Sequence, residues 1–150
     1  NGDGPAKDGP AIHVHEVQTL RQQVRRRRQT APTDGTTQQI AAAALEQATD
    51  PVYARISIEI AAEATRNPEI TALFAINGTL VKSKLIGILK RGIANGQIDS
   101  GLNPALAATW LIALTDGAIG RPVMDPAFKP KAHAPMLQLM IRRFLQPQAS

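Results

Sequence analysis

Three dipeptides decide most of what this chain can fold into: Asp50-Pro51, Asn67-Pro68 and Asn103-Pro104. In each, a short polar side chain stands directly before a proline. Its oxygen accepts hydrogen bonds from the orphan N–H groups of a helix's first turn, and a proline at the first helical position gives up no bond there. Three such signals predict three helices, starting at 51, 68 and 104.

Apolar spacing sets their lengths. Val52, Ile56, Ile60 and Ala64 form one i, i+4 row, so the first of these helices runs to about Arg66. From Pro68 to Asn95, Ile70, Leu73, Phe74, Leu80, Val81, Leu85, Ile88, Leu89 and Ile93 keep the helical period through most of the segment, and Gly96 supplies the stop. At 1.5 Å per residue such a helix is roughly 40 Å long, the spine of a domain this size. Gly78 and Gly87 inside it each weaken it by about 1 kcal/mol relative to alanine. Pro104 to Gly120 is the most apolar segment, with Leu106, Trp110, Leu111, Leu114 and Ala118 and almost no charge except Asp116, so it needs cover on several sides.

Weaker signals complete the pattern. Val17, Leu20 and Val24 give a narrow helical face between His13 and Gln29; Ile40, Ala44 and Leu45 give a short alanine-rich helix over 38–48. Residues 121–135, with Pro122, Pro126, Pro130 and Pro135, read as a long connection, followed by a last amphipathic helix carrying Met136, Leu137, Met140, Ile141, Phe144 and Leu145. No segment alternates with period two. The expected fold is all-α, an antiparallel helical bundle of about six helices. Residues 1–12, rich in glycine and proline, are expected to be a flexible leader, and 13–150 one helical domain.

At 150 residues with 43% hydrophobic and 19% charged side chains, the chain can bury a full core without metals or disulfides, and it has no cysteine. The apolar stretch around Leu106 to Ala118 is broken by Thr109, Thr115 and Asp116 and is too short to cross a bilayer, so no membrane span is expected. No signal-peptide pattern opens the chain. The net charge of +5 is concentrated: Arg21 and Arg25 to Arg28 supply five of seventeen basic side chains within eight positions. These arginines either contact nucleic-acid phosphates or form a solvated face at a helix C-terminus, where cations complement the dipole. No aromatic residues interleave with them.

Chemistry-bearing patterns are sparse. His13, His15 and Glu16 are of metal-ligating type, but i and i+2 lie on different helix faces and His133 stands apart, so no metal site is expected. With no cysteine, no G-x-S-x-G elbow, no strand-to-helix phosphate loop and no paired carboxylates on an apolar background, neither an enzyme nor a cofactor is expected. Trp110 and Phe74 either line a ligand cavity or fill the core. Asn77, Thr115 and Asp116 interrupt apolar helices, either to orient a ligand, as ordinary buried hydrogen-bonded groups or at an exposed edge.

Two strings carry a family resemblance: IAAEATRNPEITALF at 60–74 and ILKRGIANGQIDSGLNPALAATWLIALTDGAIGRPVMDP at 88–126. In order of elements and in these strings, residues 33–147 resemble the C-terminal regulatory domain of TetR-family transcriptional repressors. The family's N-terminal helix-turn-helix, with its Y-x-[YHF]-F-x-x-K string, has no counterpart here; the missing initiator Met favours its removal over a diverged stand-alone relative. The resemblance implies a cytoplasmic bacterial homodimer that senses a small hydrophobic effector and acts on DNA through the absent domain. Its four-helix dimer bundle would fall on 104–120 and 135–146, with Ala113, Gly117, Gly120, Met136, Leu139, Met140 and Arg143 at the interface. Its inducer pocket would be lined by Phe74, Asn77, Val81, Leu85, Trp110 and Leu114, with Tyr53, Ile56 and Met124 near the rim. The competing class is a helical dimerisation or adaptor module without ligand.

Overall fold

The structure, a computed structural model, describes residues 37–148. They form five helices and no strand: α1 (Thr37–Thr49), α2 (Pro51–Ala64), α3 (Pro68–Ala94), α4 (Pro104–Met124) and α5 (Pro130–Leu145). The all-helical class is as expected. The helix expected over 13–29, with its arginines and histidines, and the leader over 1–12 lie outside the described residues.

The three Asx-Pro signals act as expected. Asp50 accepts from the N–H groups of Val52 and Tyr53 at 3.0 and 3.1 Å, Asn67 from those of Glu69 and Ile70, and Asn103 from that of Leu106 at 3.0 Å. The Thr71 hydroxyl then ties α3 back to the end of α2 by donating to the Ala64 carbonyl. Asp50→Ala is expected to cost about 1 kcal/mol, the usual worth of a cap, read as a lower urea midpoint with unchanged slope.

At its far end α3 stops in a Schellman turn. Gly96 takes φ 71°, in the left-handed region where glycine has no Cβ to clash; its N–H donates to the Ile93 carbonyl, and that of Gln97 to the Gly92 carbonyl. The turn delivers Ile98 into the core, and the Asp99 N–H donates to the Leu145 carbonyl at 2.9 Å. The Thr37 hydroxyl reaches the Gln97 carbonyl, so the start of α1, the end of α3, the start of α4 and the end of α5 share one end of the bundle. Hence α1 and α4 run away from that end while α3 and α5 run towards it.

α5 packs chiefly on α1, which also lies against α4. The inner faces explain the closeness: Ala41 and Ala48 on α1 and Ala107 and Ala108 on α4 are buried, leaving room for Leu137, Ile141 and Leu145 of α5 and Ile88 and Leu89 of α3. Small residues at contact lines bring helix axes together, and the large aliphatic side chains fill the remaining volume.

One expectation needs correcting. The long connection over 121–135 is confined to 125–129, because α4 continues through Pro122 to Met124 and α5 begins at Pro130 and runs through Pro135. Pro130 is a first-position proline and costs nothing there. Pro122 and Pro135 each remove one i→i−4 bond close to a helix end, and the buried Leu137–Ile141–Leu145 row holds α5 regardless. The joint is closed locally: Asp125 accepts from the Ala127 N–H, its carbonyl accepts from the Phe128 N–H, and Phe128 stacks on His133 with ring centroids 4.6 Å apart. By length and composition alone α3 is long and apolar enough to cross a bilayer, the one such helix among the described residues, a test that core helices of soluble proteins pass as well. Asn77, Thr79, Lys82, Ser83 and Lys84 occupy its middle, and Ile88 and Leu89 belong to the bundle core.

Candidate functional site

Burial along α3 is graded on a single face. Ile70, Phe74, Asn77, Val81, Leu85, Ile88 and Gly92 follow one another at spacings of three and four, so they form one row. Ile88 and Gly92 are buried, Leu85, Val81 and Asn77 half-buried, and Phe74 is 48% exposed before burial returns at Ile70. α3, at 27 residues, is longer than α4, at 21, and than α2, at 14.

α2, α3 and α4 touch one another. α2 contributes Tyr53 and Ile56, both half-buried, and α4 contributes Leu114. Tyr53, Leu85 and Leu114 pack against the edge of the core. Six of the nine residues expected at a ligand site, Tyr53, Ile56, Asn77, Val81, Leu85 and Leu114, thus share the partly covered zone of these three helices, with Phe74 at its open end. Asn77 brings an amide into an otherwise aliphatic and aromatic set, which could orient a ligand carrying one polar group. Thr115 is settled as an ordinary hydrogen bond: its buried hydroxyl donates to the Leu111 carbonyl at 2.8 Å. Asp116 is exposed.

Trp110 and Met124 lie elsewhere. They are 69% and 75% exposed, and with Leu106, Ala113 and Gly117 they form a stripe at 106, 110, 113, 117 and 124 on the side of α4 opposite its buried row. α5 carries a second exposed apolar row, Met136, Met140 and Phe144, with Arg143 exposed beside it and Leu139 half-buried. Gly120 is half-buried, and a Cβ built on Gly117 or Gly120 would meet nothing within 4 Å. α4 and α5 touch, so these rows lie on neighbouring helices. Five expected interface residues, Ala113, Gly117, Met136, Met140 and Arg143, are therefore exposed, and the stripes add Leu106 and Phe144, which sequence reading left out. The signal for both was available: Leu106 is four residues before Trp110 and Phe144 four after Met140.

Another uncovered set lies on the N-terminal half of α3, where Leu73, Ile76 and Leu80 are exposed. Charges do little to organise the surface. Arg66–Glu63 and Arg121–Asp125 are short-range pairs within one helix or at its end, a kind worth at most about 1 kcal/mol. Among the described residues no three histidine, aspartate or glutamate side chains gather as a metal site would require.

Comparison with known proteins bears on the fold and the family. GusR from Salmonella enterica has a similar structure, with a TM-score of 0.65 and 19% sequence identity over 87% of this chain and 69% of that one. At that identity the likeness concerns the fold. No curated protein matches the sequence. The profile of the C-terminal domain of BetI-type transcriptional repressors matches residues 32–146, most of the chain and all five helices. The chain therefore belongs to the TetR family of transcriptional regulators, as a BetI-type C-terminal domain.

Proposed function

We propose that this domain is the sensing and dimerising part of a repressor. A small hydrophobic molecule enters where α2, α3 and α4 meet, two copies associate through α4 and α5, and the bound molecule alters DNA binding by a helix-turn-helix domain outside residues 32–146. The observation that carries the sensing is the graded row on α3: apolar side chains with one amide, half covered, beside a closed core. Such a face exposes apolar area that a ligand can bury at about 25 cal/mol per Å². Binding there and binding to DNA would then be linked reciprocally.

Thermal unfolding in the presence of lipophilic compounds tests this. A ligand at about a hundred times its Kd stabilises the folded state by about 2.7 kcal/mol, a shift of several degrees in a domain this size. Val81→Trp, which puts an indole in the middle of that row, is expected to remove the shift, and Asn77→Ala to weaken it for ligands with a polar head. A shift that persists unchanged in both variants would place the ligand elsewhere.

A further inference from the structure

We propose that Asn95 is a site of spontaneous modification, in which its side-chain amide is lost through a cyclic imide formed with Gly96. The reaction needs an asparagine followed by a residue whose backbone nitrogen bears a hydrogen and whose side chain does not block ring closure. Four asparagines lie among the described residues. Asn67 and Asn103 precede prolines, whose nitrogens carry no hydrogen, and are excluded. Asn77-Gly78 and Asn95-Gly96 qualify by sequence, and the structure separates them.

Asn95 is the C-cap of α3, exposed, with φ −87° and ψ 1°. Gly96 beside it is exposed, and nothing lies within 4 Å of where a Cβ would stand. Bringing the Gly96 nitrogen onto the Asn95 Cγ requires ψ of Asn95 to rotate, which frees the Gly96 N–H from the Ile93 carbonyl at a frayable helix end. At Asn77 the same rotation would break the hydrogen-bond ladder in the middle of α3, where Asn77 is half-buried. Local opening is therefore needed at both sites but is far less costly at the first.

The atoms balance with water alone. The Gly96 nitrogen forms a bond to the Asn95 Cγ, the Cγ–NH2 bond breaks, and the Gly96 amide proton leaves with the ammonia. Water then opens either imide carbonyl, giving aspartate or isoaspartate at position 95. Either product puts a carboxylate at the C-terminal end of α3, where the helix dipole is unfavourable to anions. Isoaspartate also lengthens the main chain by a methylene, in the turn whose Gln97 and Ile98 N–H groups both bond the Gly92 carbonyl and which seats Ile98 in the core. The modified protein is expected to melt at a lower temperature.

The test is to age the full chain in mildly alkaline buffer, digest it, and follow both Asn-Gly peptides by mass and by enzymatic methyl transfer to isoaspartate. The Asn95 peptide should convert at least about tenfold faster than the Asn77 peptide, reflecting the lower cost of opening a helix end. Asn95→Gln, checked for native helicity, should abolish the fast conversion and leave the slow one unchanged. Equal rates at the two sites, or no conversion at Asn95 while a short peptide of the same sequence reacts, would overturn the proposal.

Discussion

Gly117→Trp is expected to leave the chain folded and to keep it monomeric in sedimentation. The subunit itself has room, since nothing lies within 4 Å of a Cβ at this position, and tryptophan has a higher helix propensity than glycine. The proposed dimer has no room. Around the midpoint between Ala113 and Leu114, Trp110 and Gly117 stand at equal distances on one exposed stripe of α4. When a helix crosses its twofold mate antiparallel about such a midpoint, each Trp110 faces the partner's Gly117, a large side chain over a bare backbone. A self-complementary arrangement of this kind suits an isologous interface. A tryptophan in place of the glycine sets two indoles against each other. Trp110→Ala should weaken association by roughly thirtyfold or more, since a central interface tryptophan commonly carries about 2 kcal/mol or more. The reciprocal double variant, Trp110→Gly with Gly117→Trp, restores one large and one small partner and should recover much of the association. If Trp110→Ala dimerises as well as the parent, the two copies meet elsewhere. Trp110 is the sole tryptophan, so its emission should move to shorter wavelength as concentration rises through the dimer Kd.

Ile141→Ala is expected to cost about 2–5 kcal/mol, a large share of the total for a domain this size, and to lower Tm by on the order of 10 °C. Ile141 is 0% exposed between Leu137 and Leu145 on the α5 face that meets α1. Its loss leaves a cavity that a close-packed neighbourhood of alanines cannot collapse to fill. Leu106→Ala makes the contrast, because Leu106 is 63% exposed in the single chain. Measured on the monomer it should change stability by a few tenths of a kcal/mol, and its effect should appear only in association. Equal losses from both substitutions would contradict the assignment of inner and outer faces.

Those faces also mark how far the sequence could be read. The helix starts were legible because Asp50, Asn67 and Asn103 act on backbone N–H groups two and three residues away, a local interaction that needs no knowledge of the rest of the fold. The start of α5 was not: Lys129 gives no side-chain cap, and Pro122 and Pro135 signal breaks that packing overrides. On α4 the difficulty was one of direction. Its side chains are apolar nearly all round, so periodicity could not say which side faces inward, and the resemblance put Trp110 there, in the pocket. The inner side belongs instead to Ala107 and Ala108, because α1 approaches through alanines of its own and leaves no space for an indole. At the candidate site the α3 row was legible from spacing alone. Its gradient of burial was not, since that depends on which neighbouring helices cover each stretch of α3.

The shared end of the bundle has a mechanical consequence. There the end of α3 is pinned by its own turn, by Ile98 in the core and by the bond from Asp99 to Leu145 at the end of α5, while at its other end only Ile70 is buried and the Thr71 hydroxyl ties it to α2, with Leu73, Phe74, Ile76 and Leu80 exposed between. A rod roughly 40 Å long, held in the core at one tip and only through α2 at the other, behaves as a lever. A side chain displaced at Phe74 has the full arm to act through, whereas the same displacement near Leu89 meets the fulcrum.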